Sequence, residues 1–168
     1  MDLFDNADYV ITGKHGDMLR QLVSTWKIFP TYVSVLPIAA VVGVLMKRLS
    51  DRDDSTDSGP KIPFSTLANN DALINKAFQL VIMNTPRILD EEDRVNRLFR
   101  REKVQKEDRE LFDSYVRGGI EYLNEAISAD AADTDSDRMI NITKIVDEVY
   151  DKNSKVTAES ILELIQKQ

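Results

Sequence analysis

Apolar residues along this chain recur at steps of three and four almost from end to end, the spacing of one face of an α-helix. Between Gly13 and Lys27 the stripe is Met18, Leu19, Leu22, Val23 and Trp26, and Ile28-Phe29-Pro30-Thr31 breaks it. Thr31 is placed to cap a second helix running to about Leu49, with Lys47 and Arg48 at the end where cations suit the helix dipole. Pro37 inside that run predicts a kink or a true start near Leu36. Residues 50–60 are short, polar and end in Gly59-Pro60, a loop. Lys61 to Thr66 reads as extended, because Pro63 disfavours helix at Ile62.

Asn69 or Asn70 can cap a helix over 71–83, with Leu73, Ile74, Ala77, Phe78 and Val81 inward, stopped by Asn84-Thr85-Pro86. Asp90 to Arg101 reads as a charged helix, acids first and arginines last, matching the dipole. A longer helix is predicted over 106–128, with Phe112, Tyr115, Val116, Ile120, Leu123 and Ile127 as its stripe. Gly118-Gly119 in its middle costs roughly 2 kcal/mol of helix propensity against Ala. The pair therefore signals close approach of another backbone, a bend or a break. Beyond an acidic loop at 129–137, a helix to about Tyr150 buries Met139, Ile142, Ile145, Val146 and Val149. Lys152-Asn153-Ser154 ends it, and Thr157 caps a last helix. There is no internal repeat. The expected fold is all-α: a compact domain of six or seven helices with one short extended segment near 61–66. Residues 1–128 would form the core domain, and 129–168 an acidic loop with a two-helix appendage packed on it.

Composition removes whole classes of chemistry. The 168 residues are 42% hydrophobic and 30% charged, so the chain can bury a core. It has no cysteine, which excludes disulfides, thiol nucleophiles and Cys-based metal sites. His15 is the single histidine, so no site with several His ligands exists. Tyr32 to Met46, the most apolar stretch, is shorter than the roughly 20 residues a membrane span needs and reads as a buried helix. Met1-Asp2-Leu3-Phe4-Asp5 has neither the basic nor the apolar region of a secretory signal, so a cytoplasmic location is expected. The net charge of −7 lies entirely in residues 110–168, since residues 1–109 hold 16 basic and 16 acidic residues. An acidic C-terminal stretch of this kind repels bare nucleic acid.

Candidate chemistry is sparse. Asp133-Thr134-Asp135-Ser136-Asp137 resembles a calcium loop, but Arg138 and Lys144 stand where its glycine and bidentate acid belong. There is no phosphate loop, no Gly-x-Ser-x-Gly elbow and no Glu-x-Lys of a metal nuclease. Asp90 to Asp93 are explained by a helix start. His15 reads as an exposed or capping residue, with single-residue acid–base work as the alternative. No cofactor and no metal are expected, and no enzyme. The notable feature is cationic: Arg94, Arg97, Arg100, Arg101, Lys103, Lys106 and Arg109 fall within sixteen residues, against Glu102, Glu107 and Asp108. Arg94, Arg97 and Arg101 share a helix face, fit for phosphate or an acidic protein surface. The plainer account is a solvated helix pairing Asp90 with Arg94 and Asp93 with Arg97. Arg94, Arg97, Arg100, Arg101 and Lys103 are the candidate contact residues.

Three segments in order carry a resemblance. They are Phe29-Pro30-Thr31-Tyr32-Val33 leading into Ala39-Ala40-Val41-Val42-Gly43 and Lys47-Arg48; Ile62-Pro63-Phe64 followed by Asp90-Glu91-Glu92-Asp93; and Phe112-Asp113-Ser114-Tyr115-Val116-Arg117-Gly118-Gly119-Ile120-Glu121-Tyr122-Leu123. Over roughly residues 15–127 the chain resembles the small Dnd system-associated proteins, encoded beside bacterial DNA phosphorothioation and restriction genes. The resemblance implies an accessory or adaptor subunit of an anti-phage defence complex, with protein subunits as partners and nucleic acid reached through the complex. The alternative is a sequence-independent DNA-contacting subunit of such a complex. The resemblance brings no catalytic residues, and residues 130–168 lie outside it.

Overall fold

The computed structural model describes residues 3–56, 58–84 and 104–166, with side chains described for the same residues except Ala131 and 152–166. The described residues hold six α-helices and one two-stranded antiparallel pairing. In chain order these are β1 (Tyr9–Val10), α1 (Gly13–Arg20), α2 (Tyr32–Leu45), β2 (Lys61–Ile62), α3 (Phe64–Asn69), α4 (Asp71–Met83), α5 (Lys106–Ile127) and α6 (Asp135–Gln166). β1 pairs with β2 in the register Tyr9 with Ile62 and Val10 with Lys61. The fold is all-α, as the periodicity indicates. The chain divides into two compact units, Met1–Asn124 and Glu125–Gln168.

In the first unit α2 is buried on most of its circumference, through Val33, Val35, Leu36, Ala39, Ala40 and Val42. That is the behaviour of a helix apolar all round. Its main neighbour α4 contributes Ile74, Ala77, Phe78, Val81 and Ile82. α5 adds Phe112, Val116, Ile120 and Leu123, and the Phe78 and Phe112 rings lie tilted at 5.9 Å. Gly118 and Gly119 sit inside unbroken helix, so close approach is their role. A Cβ at Gly119 would overlap the Ala39 carbonyl, and one at Gly118 the Arg48 carbonyl. From the other side, a Cβ at Gly43 would overlap the Tyr115 carbonyl. α2 and α5 therefore meet backbone to backbone.

Several expectations are corrected. α1 stops at Arg20 and the chain continues as a five-residue π-helix, Gln21–Thr25, in which the Trp26 N–H donates to the Gln21 carbonyl at 2.8 Å. α2 begins at Tyr32 and contains Pro37 without a break, but ends at Leu45, where Lys47 turns the chain with φ +53°. The extended segment is only two residues long, because Pro63 supplies the turn into α3, a position that needs no N–H. Leu73 is 56% exposed rather than inward, since it lies off the Ile74, Ala77, Phe78, Val81 face. The predicted helix over 90–101 lies outside the described residues.

In the second unit, Lys152-Asn153-Ser154 does not end a helix. Those residues cost propensity but include neither Gly nor Pro, so α6 runs through them in place of two helices. Met139 and Val146 are exposed; Ile145 is the residue of that predicted stripe that is buried. The acidic loop proves to be a helix cap. The Thr134 hydroxyl donates to Asp137 Oδ2 at 2.6 Å and accepts the Asp137 N–H at 3.2 Å, while the Thr134 N–H reaches the same carboxylate. These bonds hold the Asp137 carboxyl below the usual range. No helix among the described residues is long and apolar enough to cross a membrane.

Candidate functional site

The first unit contains a polar node where α1, the loop after α2 and α5 converge. Two backbone features build it. The contact of Gly118 with the Arg48 carbonyl lays the end of α2 along α5, and the Ser50 N–H donates to the Ser114 carbonyl at 3.1 Å. Ser50 thereby reaches Glu121, one turn beyond Gly118. The loop is also fastened to α1. Thr12 stands at the N-cap without a side-chain cap bond, and Asp53 supplies the cap instead, its Oδ2 accepting the Lys14 N–H at 2.7 Å. The Thr12 hydroxyl in turn donates to the Asp53 carbonyl at 3.0 Å. The bonds from the backbone N–H groups of Lys14 and Ser55 hold the Asp53 carboxyl at about 2.

His15 is fully buried inside this node, which corrects the expectation of an exposed or capping residue. Its Nε2 lies 3.0 Å from Glu121 Oε1 and 3.1 Å from Ser50 Oγ. The Ser50 hydroxyl donates to the same Oε1 at 2.8 Å, and Lys14 Nζ meets it at 2.7 Å. Arg48 Nε stands 3.6 Å from Oε2. Burial works against an ionised Glu121, but the bonds from Lys14, Ser50 and His15 outweigh it and hold the carboxyl at about 2. Burial pushes His15 below its ordinary value, only partly offset by Glu121. The ring is then neutral at pH 7 and donates its Nε2–H to the carboxylate. Nδ1 is buried with no partner among the described residues, which suits a bare lone pair far better than an N–H.

The three residue types of a Ser–His–acid relay are present, yet the geometry is not a relay. A relay gives the serine and the acid opposite ring nitrogens. Here both lie on Nε2, and the serine bonds the acid directly. The node clamps three chain segments together.

Beside it lies a small open cleft lined by Tyr9, Thr12, Arg52, Asp53, Asp113 and Arg117, among others. The Tyr9 hydroxyl donates to Asp113 Oδ1 at 2.7 Å, and burial pushes both groups upward. Arg117 is held by the Ser50 carbonyl at 2.9 Å and the Ser114 hydroxyl at 3.0 Å. No group of His, Asp and Glu among the described residues could hold a metal ion.

The predicted contact residues Arg94, Arg97, Arg100, Arg101 and Lys103 lie outside the described residues. The two described members of that cationic run are paired within the chain. Lys106 faces Glu110 at 3.5 Å, and Arg109 faces Asp5 at 3.4 Å with its guanidinium over the Phe4 ring. Sequence reasoning missed Ser50, Asp53 and Glu121. One signal was available: Glu121 follows Gly118 by three residues, on the face the glycines open. Two exposed apolar faces also emerge. On α4, Leu73 and Met83 are exposed and Leu80 half-buried at spacings of seven and three; on α6, Met139, Val146 and Tyr150 are exposed.

No curated protein and no solved structure matches the chain. The profile of one protein family does, that of DNA sulphur modification system-associated protein 4, over residues 11–161. The match reaches well past residue 130, so most of the acidic tail is part of the family and not an addition to it. With nearly the whole described chain inside that match, both units included, the protein belongs to the family of DNA sulphur modification system-associated protein 4.

Proposed function

We propose that the chain is a non-catalytic accessory subunit of a DNA-modifying, anti-phage defence complex in the bacterial cytoplasm, and that it works by docking a helix face onto another protein subunit. The family supports the setting. The observation that carries the docking reading is the outer face of α4, where Leu73 is 56% and Met83 47% exposed in line with Leu80 while the opposite face fills the core. Large apolar residues aligned on the outside of a packed helix gain by being covered. The His15 node supports the same reading, because it spends the most reactive side chains on clamping.

The test is a pull-down of the tagged protein from its native operon, with and without nuclease. Operon-encoded subunits should be retained after nuclease and lost from Leu73→Asp/Met83→Asp. Retention that nuclease abolishes would favour the second reading, sequence-independent DNA contact, which the cationic run at 94–103 motivates. That reading requires steeply salt-dependent DNA binding, lost when Arg94, Arg97 and Arg101 become Glu.

A further inference from the structure

The outer face of α6 carries Met139, Val146 and Tyr150, 63%, 59% and 72% exposed, at spacings of seven and four that put them on one side of the helix. Ile140, 57% exposed, adjoins them. The setting of this stripe is acidic. Residues 125–168 hold ten acidic and five basic residues. Asp135, Asp147 and Asp151 are exposed beside the stripe. The two described cations of the unit are turned to internal partners: Arg138 to Asp135 and the carbonyls of 132 and 133, Lys144 to Asp130 and Asn141. An apolar face rimmed by carboxylates fits a segment that is apolar on one side and cationic on the other.

The sequence of the same chain brings apolar and cationic residues together in one short stretch. Residues 94–103 carry Val95, Leu98 and Phe99 among four arginines and Lys103, with Glu102 as the one acid, net +4. We propose that the protein self-associates: the α6 stripe of one copy receives the cationic segment 94–103 of a second copy, and the contact is returned reciprocally. Reciprocity gives a closed two-fold dimer with two equivalent contacts. Both are needed, since four exposed side chains cover well under the roughly 800 Å² per partner of a stable interface. Pairing stripe against stripe would bring two acidic units together, which charge disfavours.

The test is sedimentation velocity of the purified full chain in roughly 50 mM and roughly 500 mM NaCl, with helix content followed by circular dichroism. A dimer is expected at low salt, weakened about tenfold or more at high salt as its charged rim is screened. Val146→Asp/Tyr150→Asp and Arg97→Glu/Arg101→Glu should each give a monomer at low salt. Tyr150→Ser, a milder change at an exposed position, should shift the equilibrium the same way. A monomer under both conditions overturns the proposal. So does a dimer indifferent to either pair of substitutions. Self-association of the purified chain needs no other subunit, so this result and that of the operon pull-down are independent.

Discussion

His15 shows how burial decides what a titratable side chain does. Its folded pKa lies below the ordinary 6.5, so the unfolded chain takes up the proton first. Stability is therefore whole above about 6.5 and falls as pH drops toward the folded value. Glu121, lowered from 4.5 to about 2, acts in the same direction in a more acidic window: its contribution is present above 4.5 and lost on the way to 2. Urea midpoints measured from pH 8 to pH 3 should decline in two stages. His15→Gln, whose amide can still donate to Glu121, should flatten the first stage and leave the second. Asp113 has the opposite sign. Burial raises its folded pKa, so its ionisation above 3.8 costs the native state. Asp113→Asn keeps an acceptor for the Tyr9 hydroxyl and should raise the midpoint at pH 7 with no gain at pH 3. A common midpoint for mutant and parent at pH 7 would contradict this account.

Among the elements, α5 departs furthest from what propensity implies. An ordinary mid-helix glycine gains about 1 kcal/mol on replacement by alanine. At Gly119 the added methyl meets the Ala39 carbonyl, main chain that no rotamer change can move. Gly119→Ala should destabilise, at the roughly 1–3 kcal/mol of an overpacked core or beyond, measured as a lower Tm. Phe78→Ala, which empties the α4 side of the ring pair, should cost about 3–5 kcal/mol. α6 rests on its cap, and Thr134→Ala should cost about 1 kcal/mol, with faster amide exchange at the start of the helix. The bounds of α4 were legible because Asn70 and Asn84 flank it and its apolar face is regular. The course of α6 was not, because polar residues in mid-helix look like a stop when nothing in the sequence says otherwise.

For the molecule as a whole, the all-α architecture was written in periodicity, and the family resemblance in the order of short segments. The node was not legible. His15, Ser50 and Glu121 come from three separate parts of the chain: the packing of α2 and its following loop on α5 joins Ser50 to Glu121, and the Asp53 bonds to α1 bring in His15. The glycine pair allowed a close approach, a bend or a break, and named no partner. Charge is the property that acts at this scale. With −7 overall, the purified chain should retain no duplex DNA at physiological salt, as fluorescence anisotropy of a labelled duplex would report. Tight binding under those conditions would transfer the function to direct DNA contact.

The meeting of α2 and α5 through bare peptide units has a further consequence. Side chains breathe by hopping between rotamers, whereas carbonyls seated on glycines have no such freedom. On its α2–α5 side the chamber around the imidazole can then open only when the two helices part. Its ring proton should exchange with water slowly enough to give a discrete downfield NMR line, and that line should vanish first if the helices ever loosen.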